Sequence, residues 1–80
     1  MTEHTSTSTA EMARMLKVIA DETRLRILGL LAERPYVGKE IAGALDLTPP
    51  TVSHHMRKLV DAGIVTATPD AQLQRYTLNA

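Results

Sequence analysis

The sequence predicts a small, mainly α-helical domain of about four helices that ends in a two-stranded β-hairpin. From residue 9 to residue 62, apolar residues recur at the three- and four-residue spacing of amphipathic helices. From residue 64 to residue 78 the pattern changes to strand-forming residues on either side of a turn at residues 69–72. Eighty residues suffice for one compact domain. We therefore expect a flexible N-terminal tail over residues 1–8 and one folded domain over residues 9–80.

The first two helices are predicted from their N-terminal signals. Ser8 and Glu11 have the spacing of a capping box at the start of a helix over residues 9–20. Asp21 is a typical N-cap for a second helix, over residues 22–33. Because this second helix is apolar around much of its circumference, we expect it to be the central helix, buried on several sides.

A helix over residues 48–62 has the clearest boundaries in the chain. Thr48 can cap its N-terminus, and Pro49 and Pro50 are tolerated because first-turn N–H groups lack an intrahelical partner. Gly63 can adopt the left-handed conformation that ends a helix. Four residues at helical spacing form its apolar face: Val52, Met56, Leu59 and Val60.

A shorter helix over residues 38–45 precedes this one, with a three-residue connection. Two such helices, the second with a polar face, are typical of a helix-turn-helix, in which the second helix enters the DNA major groove. The hairpin over residues 64–78 would then be a wing. An ordinary amphipathic helix with a solvated face would show the same pattern. On the DNA-binding interpretation, the candidate contacts are Lys39, Thr48, Pro49, Pro50, Thr51, Ser53, His54, Arg57, Lys58 and Arg75.

Residues 16–28, LKVIADETRLRIL, closely resemble a signature of the ArsR/SmtB-type bacterial repressors. Four further segments match that family in order and spacing, namely residues 40–42, 47–56, 59–65 and 76–78. The resemblance therefore extends over about residues 12–79. The resemblance implies a homodimeric winged helix-turn-helix regulator that binds a palindromic operator and usually represses transcription. It also implies that Ser53 and His54 are recognition-helix contacts.

The first helix is the candidate dimer interface. Its apolar stripe could pack in the core or against a second copy of the chain, and it consists of Met12, Met15, Leu16 and Ile19. Many relatives sense metals through thiolates near the third helix or through a C-terminal helix. This chain has no Cys, and it ends just after the second wing strand. The sequence thus leaves open whether the first helix supplies the interface alone or the natural protein continues into a sensing region.

Charge and composition limit the expected DNA affinity, the location and the possible functions of the protein. Nine Lys and Arg balance nine Asp and Glu, so we expect weak non-specific affinity for DNA and a shallow salt dependence. No apolar run is long enough to span a membrane, and no secretory signal is present, so we expect a cytoplasmic protein that does not bind membranes. A winged-helix protein–protein interaction module is the alternative, and the sequence leaves a small-molecule effector open.

Neither a metal site nor catalysis is predicted. His54 and His55 are adjacent, so on a helix they point about 100° apart and are poor joint ligands, while His4 lies in the predicted tail. We expect His55 to be a partly buried structural histidine. Ser53 and His54 lie on different helix faces, so the imidazole is poorly placed to activate that hydroxyl. We therefore predict a non-enzymatic protein without a cofactor.

Overall fold

The computed structural model describes residues 8–79. Its elements follow in the order α1 (Thr9–Ile19), α2 (Glu22–Leu31), β1 (Tyr36–Val37), α3 (Gly38–Leu45), α4 (Pro49–Asp61), β2 (Val65–Asp70) and β3 (Leu73–Leu78). The predicted fold class, four helices followed by a β-hairpin, is confirmed. Of the predicted tail, residues 1–7 and with them His4 lie outside the described residues, whereas Ser8 belongs to the cap of α1.

The predicted caps hold the first two helices in place. The Glu11 N–H donates to Ser8 Oγ at 3.1 Å and the Ser8 N–H donates to Glu11 Oε1 at 2.9 Å, which completes the capping box. At α2 the Arg24 N–H donates to Asp21 Oδ1 at 3.0 Å. These bonds satisfy first-turn N–H groups that have no partner within the helix.

The sheet contains a strand that the sequence did not predict. Helix α2 ends at Leu31, two residues earlier than expected, and the chain then forms β1. Strand β1 pairs antiparallel with β3, with Tyr36 opposite Tyr76, so the sheet has three strands in the order β1-β3-β2. The prediction of a two-stranded sheet was incomplete because a two-residue strand is too short to show alternation.

The hairpin turn is shorter than predicted. Strand β2 continues through Pro69, opposite Gln74, to Asp70, and Ala71 adopts a left-handed conformation with φ of 59°. Proline is tolerated here because β2 lies at an edge of the sheet, where the missing N–H breaks no ladder bond.

The core is formed where α2, α3 and α4 meet the sheet. Its buried side chains are Ile27, Leu31, Tyr36, Ile41, Ala42, Val52, Met56, Leu59 and Val65. Three of the four predicted apolar residues of α4 are buried and Val60 is half-buried, so the opposite face of α4 points outwards. The expectation that α2 is buried on several sides is wrong for one side, because Leu25 is 52% exposed.

Two glycines allow a matched test of the backbone. Gly63 ends α4 with φ of +75°, as predicted, whereas Gly43 lies inside α3 with open space at its Cβ position. We expect Gly63→Ala to lower the free energy of unfolding by about 1–2 kcal/mol, because an L-residue is strained in the left-handed region. Gly43→Ala should raise it by about 0.5–1 kcal/mol, because alanine loses less backbone entropy in a helix. Urea unfolding followed by circular dichroism at one protein concentration measures both, and equal effects would contradict the assigned conformations.

Candidate nucleic-acid interface

The outward face of α4 carries the central predicted contacts. Ser53, His54 and Arg57 are all exposed on this 13-residue helix. Their position follows from the opposite face, where Val52, Met56 and Leu59 are buried. A rigidly packed helix therefore presents a hydroxyl, an imidazole and a guanidinium to the outside. These groups can form hydrogen bonds with base edges and phosphates.

The N-terminus of α4 is organised by two threonines and two prolines. The Thr51 N–H donates to Thr48 Oγ at 3.4 Å, and the two threonine hydroxyls are hydrogen-bonded to each other at 2.8 Å. Pro49 and Pro50 form the first turn, as predicted, and both are exposed. Thr51 is half-buried. The turn is thus fixed by local bonds and leaves the proline rings accessible.

A cleft of about 430 Å³ joins this helix end to α3 and to the wing. It brings together three predicted contacts, Lys39, Pro49 and Ser53, that come from two helices. The wing side of the cleft is lined by Gln72, Leu73, Gln74 and Tyr76. The sequence prediction missed Gln72 and Gln74. The period-two pattern of β3 contained a signal for Gln74, because it places this residue on the same side as Tyr76.

The two cations of α4 line different grooves. Arg57 lines a groove with Ser53 and Gln74, between α4 and the wing. Lys58 instead lines a groove with Glu11 and Arg14 of α1. Both residues are predicted DNA contacts, and the structure places them in separate grooves. Asp61 lines both grooves and reduces the positive potential further.

Arg75 also lies apart from the cluster. Gln74 and Tyr76 line the clefts that face α4. Because neighbouring side chains of a strand point to opposite faces, Arg75 projects from the other face of the sheet. The structure therefore groups Lys39, Pro49, Ser53 and Arg57 around α4 and the wing, and leaves Lys58 and Arg75 outside that group.

The two adjacent histidines differ in environment. His54 is exposed, whereas His55 is half-buried with Nδ1 3.3 Å from Arg24 Nη1, which confirms the prediction of a partly buried structural histidine. Burial lowers the pKa of His55, the Asp21 carboxylate partly opposes this effect, and the Arg24 and His54 charges add to it. Within residues 8–79, no three His, Cys, Asp or Glu side chains are grouped closely enough to hold a metal ion.

The predicted dimer helix leaves an apolar face uncovered. Met12 is 48% exposed and Leu16 is 57% exposed, while Met15 and Ile19 are half-buried. None of the residues of α1 is fully buried. An exposed face of this kind on a small domain is typical of an interaction surface.

These features define a class of protein. An exposed second helix of a helix-turn-helix, flanked by a β-hairpin, is the architecture of winged helix-turn-helix nucleic-acid-binding domains. The chain belongs to the arsR family of bacterial regulatory proteins, whose sequence profile matches residues 21–67. The resemblance noted in the sequence is thereby confirmed. This family consists of transcriptional regulators and not of enzymes, in agreement with the prediction.

Similar proteins support this assignment. The chain is 36% identical over 69 residues to the arsenical resistance operon repressor of Staphylococcus aureus, a match that covers 86% of this chain and 66% of the repressor. The chain thus spans slightly less than two thirds of that relative's length. It is also 32% identical over 73 residues to the transcriptional activator HlyU of Vibrio cholerae, which covers 91% of this chain and 68% of the activator.

Solved structures agree with the fold. The structure of HlyU from Vibrio cholerae matches with a TM-score of 0.86 and 30% identity, covering 95% of this chain and 83% of that chain. A homodimeric winged helix-turn-helix DNA-binding domain from Mycobacterium bovis, solved by NMR, matches with a TM-score of 0.84 and 29% identity, covering 100% of this chain and 77% of that chain.

Within residues 8–79, no helix is long and apolar enough to cross a membrane.

Proposed function

We propose that the protein is a sequence-specific transcriptional regulator that binds a palindromic operator in double-stranded DNA as a homodimer and represses transcription. Helix α4 enters the major groove and the β2–β3 hairpin forms the wing. One observation carries the proposal: α4 is fixed by its buried apolar face and exposes Ser53, His54 and Arg57 on the other. A rigid helix with such a face is the part of a helix-turn-helix that reads base edges.

We propose that only some of the predicted residues contact DNA. We assign base contacts to Ser53, His54 and Arg57, and a phosphate contact to Lys39 across the cleft. We also assign DNA contacts to the turn at Thr48, Pro49, Pro50 and Thr51, of which Pro49 lines the same cleft. The proline rings offer apolar contact, of the kind made with thymine methyl groups. Lys58 and Arg75 are left outside the base-reading set.

The homodimer is proposed from the apolar face of α1. Met12, Leu16 and, on α2, Leu25 are each about half exposed in the single chain. Association through this face would remove apolar area from water and so stabilise a small domain. A two-fold dimer would place the two copies of α4 in successive major grooves, about 34 Å apart. The homodimeric state of the similar Mycobacterium bovis domain supports this arrangement.

Activation of transcription is the second candidate, because HlyU of Vibrio cholerae, a similar protein, is a transcriptional activator. Both outcomes use the same DNA contacts and differ in where the operator lies relative to the promoter. A reporter gene under the chain's own promoter distinguishes them: derepression on deleting the regulator supports repression, and loss of expression supports activation.

Selection from a library of random duplexes tests the proposal at about 50 mM salt. The expected result is enrichment of an inverted repeat whose half-site centres lie about 10–11 base pairs apart, because this spacing corresponds to one turn of B-DNA. Retention of no duplex by a folded dimer would contradict the proposal and favour the protein–protein interaction module. Enrichment of an asymmetric site would contradict the palindromic operator.

The salt dependence of binding tests the placement of the cations. With Lys39 neutralising one phosphate per protomer, a dimer neutralises about two, so log K should fall with log salt with a slope of roughly −2. Lys39→Ala should make this slope less steep by about 2. Lys58→Ala is the matched control and should leave the slope unchanged, because Lys58 faces α1. Fluorescence anisotropy of the selected duplex measures the slopes. Equal changes in the two variants would contradict the proposed division of the cations.

A further inference from the structure

One side chain that the sequence analysis did not single out links three helices. Arg24, near the start of α2, is largely buried, with a side chain that is 14% exposed. Its Nε donates to the Val18 carbonyl of α1 at 2.6 Å, and its Nη1 lies 3.3 Å from Nδ1 of His55 on α4. The Asp21 carboxylate lies 3.9 Å from Nη2 and accepts the Arg24 N–H. The proposed dimer helix and the recognition helix are thus joined through one guanidinium.

The chemistry of this contact fixes the protonation state of His55. A guanidinium has only donors, so Nδ1 of His55 must supply the lone pair and the ring proton must lie on Nε2. A protonated imidazole has an N–H at both nitrogens and cannot accept. It would also place a second positive charge 3.3 Å from the Arg24 guanidinium.

We propose that Arg24 is a positioning residue for DNA binding, which holds α4 against α1 and α2 only while His55 is neutral. Its effect on affinity rests on the proposed function, whereas the contact itself does not. Arg24 touches no part of the α4 face assigned to DNA. It acts through His55, which occupies the inner side of the same helix beside exposed His54.

The proposal gives the stability a pH dependence of defined sign. The charged groups that act on His55 are Asp21 and Arg24 of α2 and His54 of α4, and α1 contributes the Val18 carbonyl through Arg24. Burial places the pKa of His55 below that of an unfolded histidine, about 6.5. As pH falls below this value, the unfolded chain binds the proton first. The contribution of neutral His55 to the free energy of unfolding is therefore fully present above about pH 6.5 and is lost as the pH falls below this value.

Histidine NMR tests the contact without DNA. The ring ¹⁵N shifts of His55 should show an unprotonated Nδ1 and a protonated Nε2, and its pKa should lie below the value of an unfolded histidine, about 6.5. A protonated Nδ1, or a His55 pKa at or above that value, would overturn the proposal. This result would leave the proposed DNA-binding function untouched.

Two variants separate positioning from general structure. His55→Asn retains an acceptor oxygen near the position of Nδ1 but does not titrate. Between pH 8 and pH 5.5, wild-type affinity for the selected duplex should fall relative to this variant, by less than about 10-fold because the pKa of His55 lies below about 6.5. Parallel pH profiles would overturn the proposal.

Arg24→Lys keeps the charge but removes the planar fork of donors. It should weaken duplex binding about 10-fold or more at pH 8. The affinity of Arg24→Lys should then change with pH in the same way as that of His55→Asn. Arg26→Lys, at an exposed position paired with Glu22 on the same helix, is the matched control and should change neither quantity. Unaltered binding by Arg24→Lys would count against the positioning role. If Arg24→Lys fails to fold, the NMR and His55→Asn measurements still decide the question.

Discussion

Replacing His54 and Arg57 together by alanine is expected to lower the affinity for the selected duplex at least about 100-fold, with the fold intact. Both side chains are exposed and are truncated twice in a dimer. A good hydrogen-bonded base contact contributes about 1–3 kcal/mol of discrimination, and 1.4 kcal/mol corresponds to a factor of ten. Loss of two arginine contacts and two histidine contacts in the dimer therefore accounts for a 100-fold loss of affinity, even with a weak imidazole contact. Fluorescence anisotropy at fixed salt measures the affinity.

The control for this double variant must remove the same charge elsewhere. Arg26→Ala removes one positive charge from an exposed position of α2 and should weaken binding less than about threefold, through the overall potential alone. The free energy of unfolding of the double variant should remain within about 0.5 kcal/mol of wild type, because exposed side chains contribute little. Specific binding that persists in the folded double variant would show that α4 does not read the duplex as proposed.

The second large effect is expected at the dimer face of α1. Leu16→Glu places a charge where a 57% exposed leucine would become covered by a second copy of the chain. Burial of an unpaired carboxylate is costly, so we expect the dimer to dissociate at micromolar concentrations. Affinity for a duplex with two half-sites should then fall at least about 100-fold, because a monomer bound at one half-site no longer holds a second copy of α4 near the other. Sedimentation velocity and anisotropy measure the two effects.

A matched charge on another side of α1 controls for helix propensity and net charge. Ala10→Glu adds the same charge to an exposed residue of the first turn, where a carboxylate suits the helix dipole. This variant should remain dimeric and should bind the duplex like wild type. A dimer that withstands Leu16→Glu, or that dissociates equally with Ala10→Glu, would place the interface elsewhere.

Local signals in the sequence predicted the helices well because caps act over three or four residues. Thr48, the two prolines and Gly63 define α4 without reference to the rest of the chain, and the observed helix lies within their limits. Strand β1 could not be predicted in this way. It exists because Tyr36 meets Tyr76 across the sheet, 40 residues later in the chain. Pro69 likewise belongs to a strand only because β2 lies at the sheet edge.

In the candidate site, too, local features were predictable from the sequence and contacts between distant residues were not. Helical periodicity predicted that Ser53, His54 and Arg57 face away from the core, because it depends on α4 alone. It places Arg57 and Lys58 about 100° apart, but it could not show that α1 lies beside Lys58. The Arg24–His55 contact joins residues 31 positions apart, and no spacing rule relates them. Properties of one helix were thus predictable, whereas contacts between elements were not.

The double proline at the start of α4 has a consequence for how the protein is held on a duplex. The N-terminus of a helix usually offers free main-chain amides that grip a phosphate oxygen regardless of base sequence. Pro49 and Pro50 have no such amide, and that of Thr51 is already bonded to the Thr48 hydroxyl. A main-chain phosphate clamp is therefore missing at this helix end. On the proposed function, contact with DNA at this helix end depends on side chains, so we expect a few substitutions on α4 to change the preferred operator.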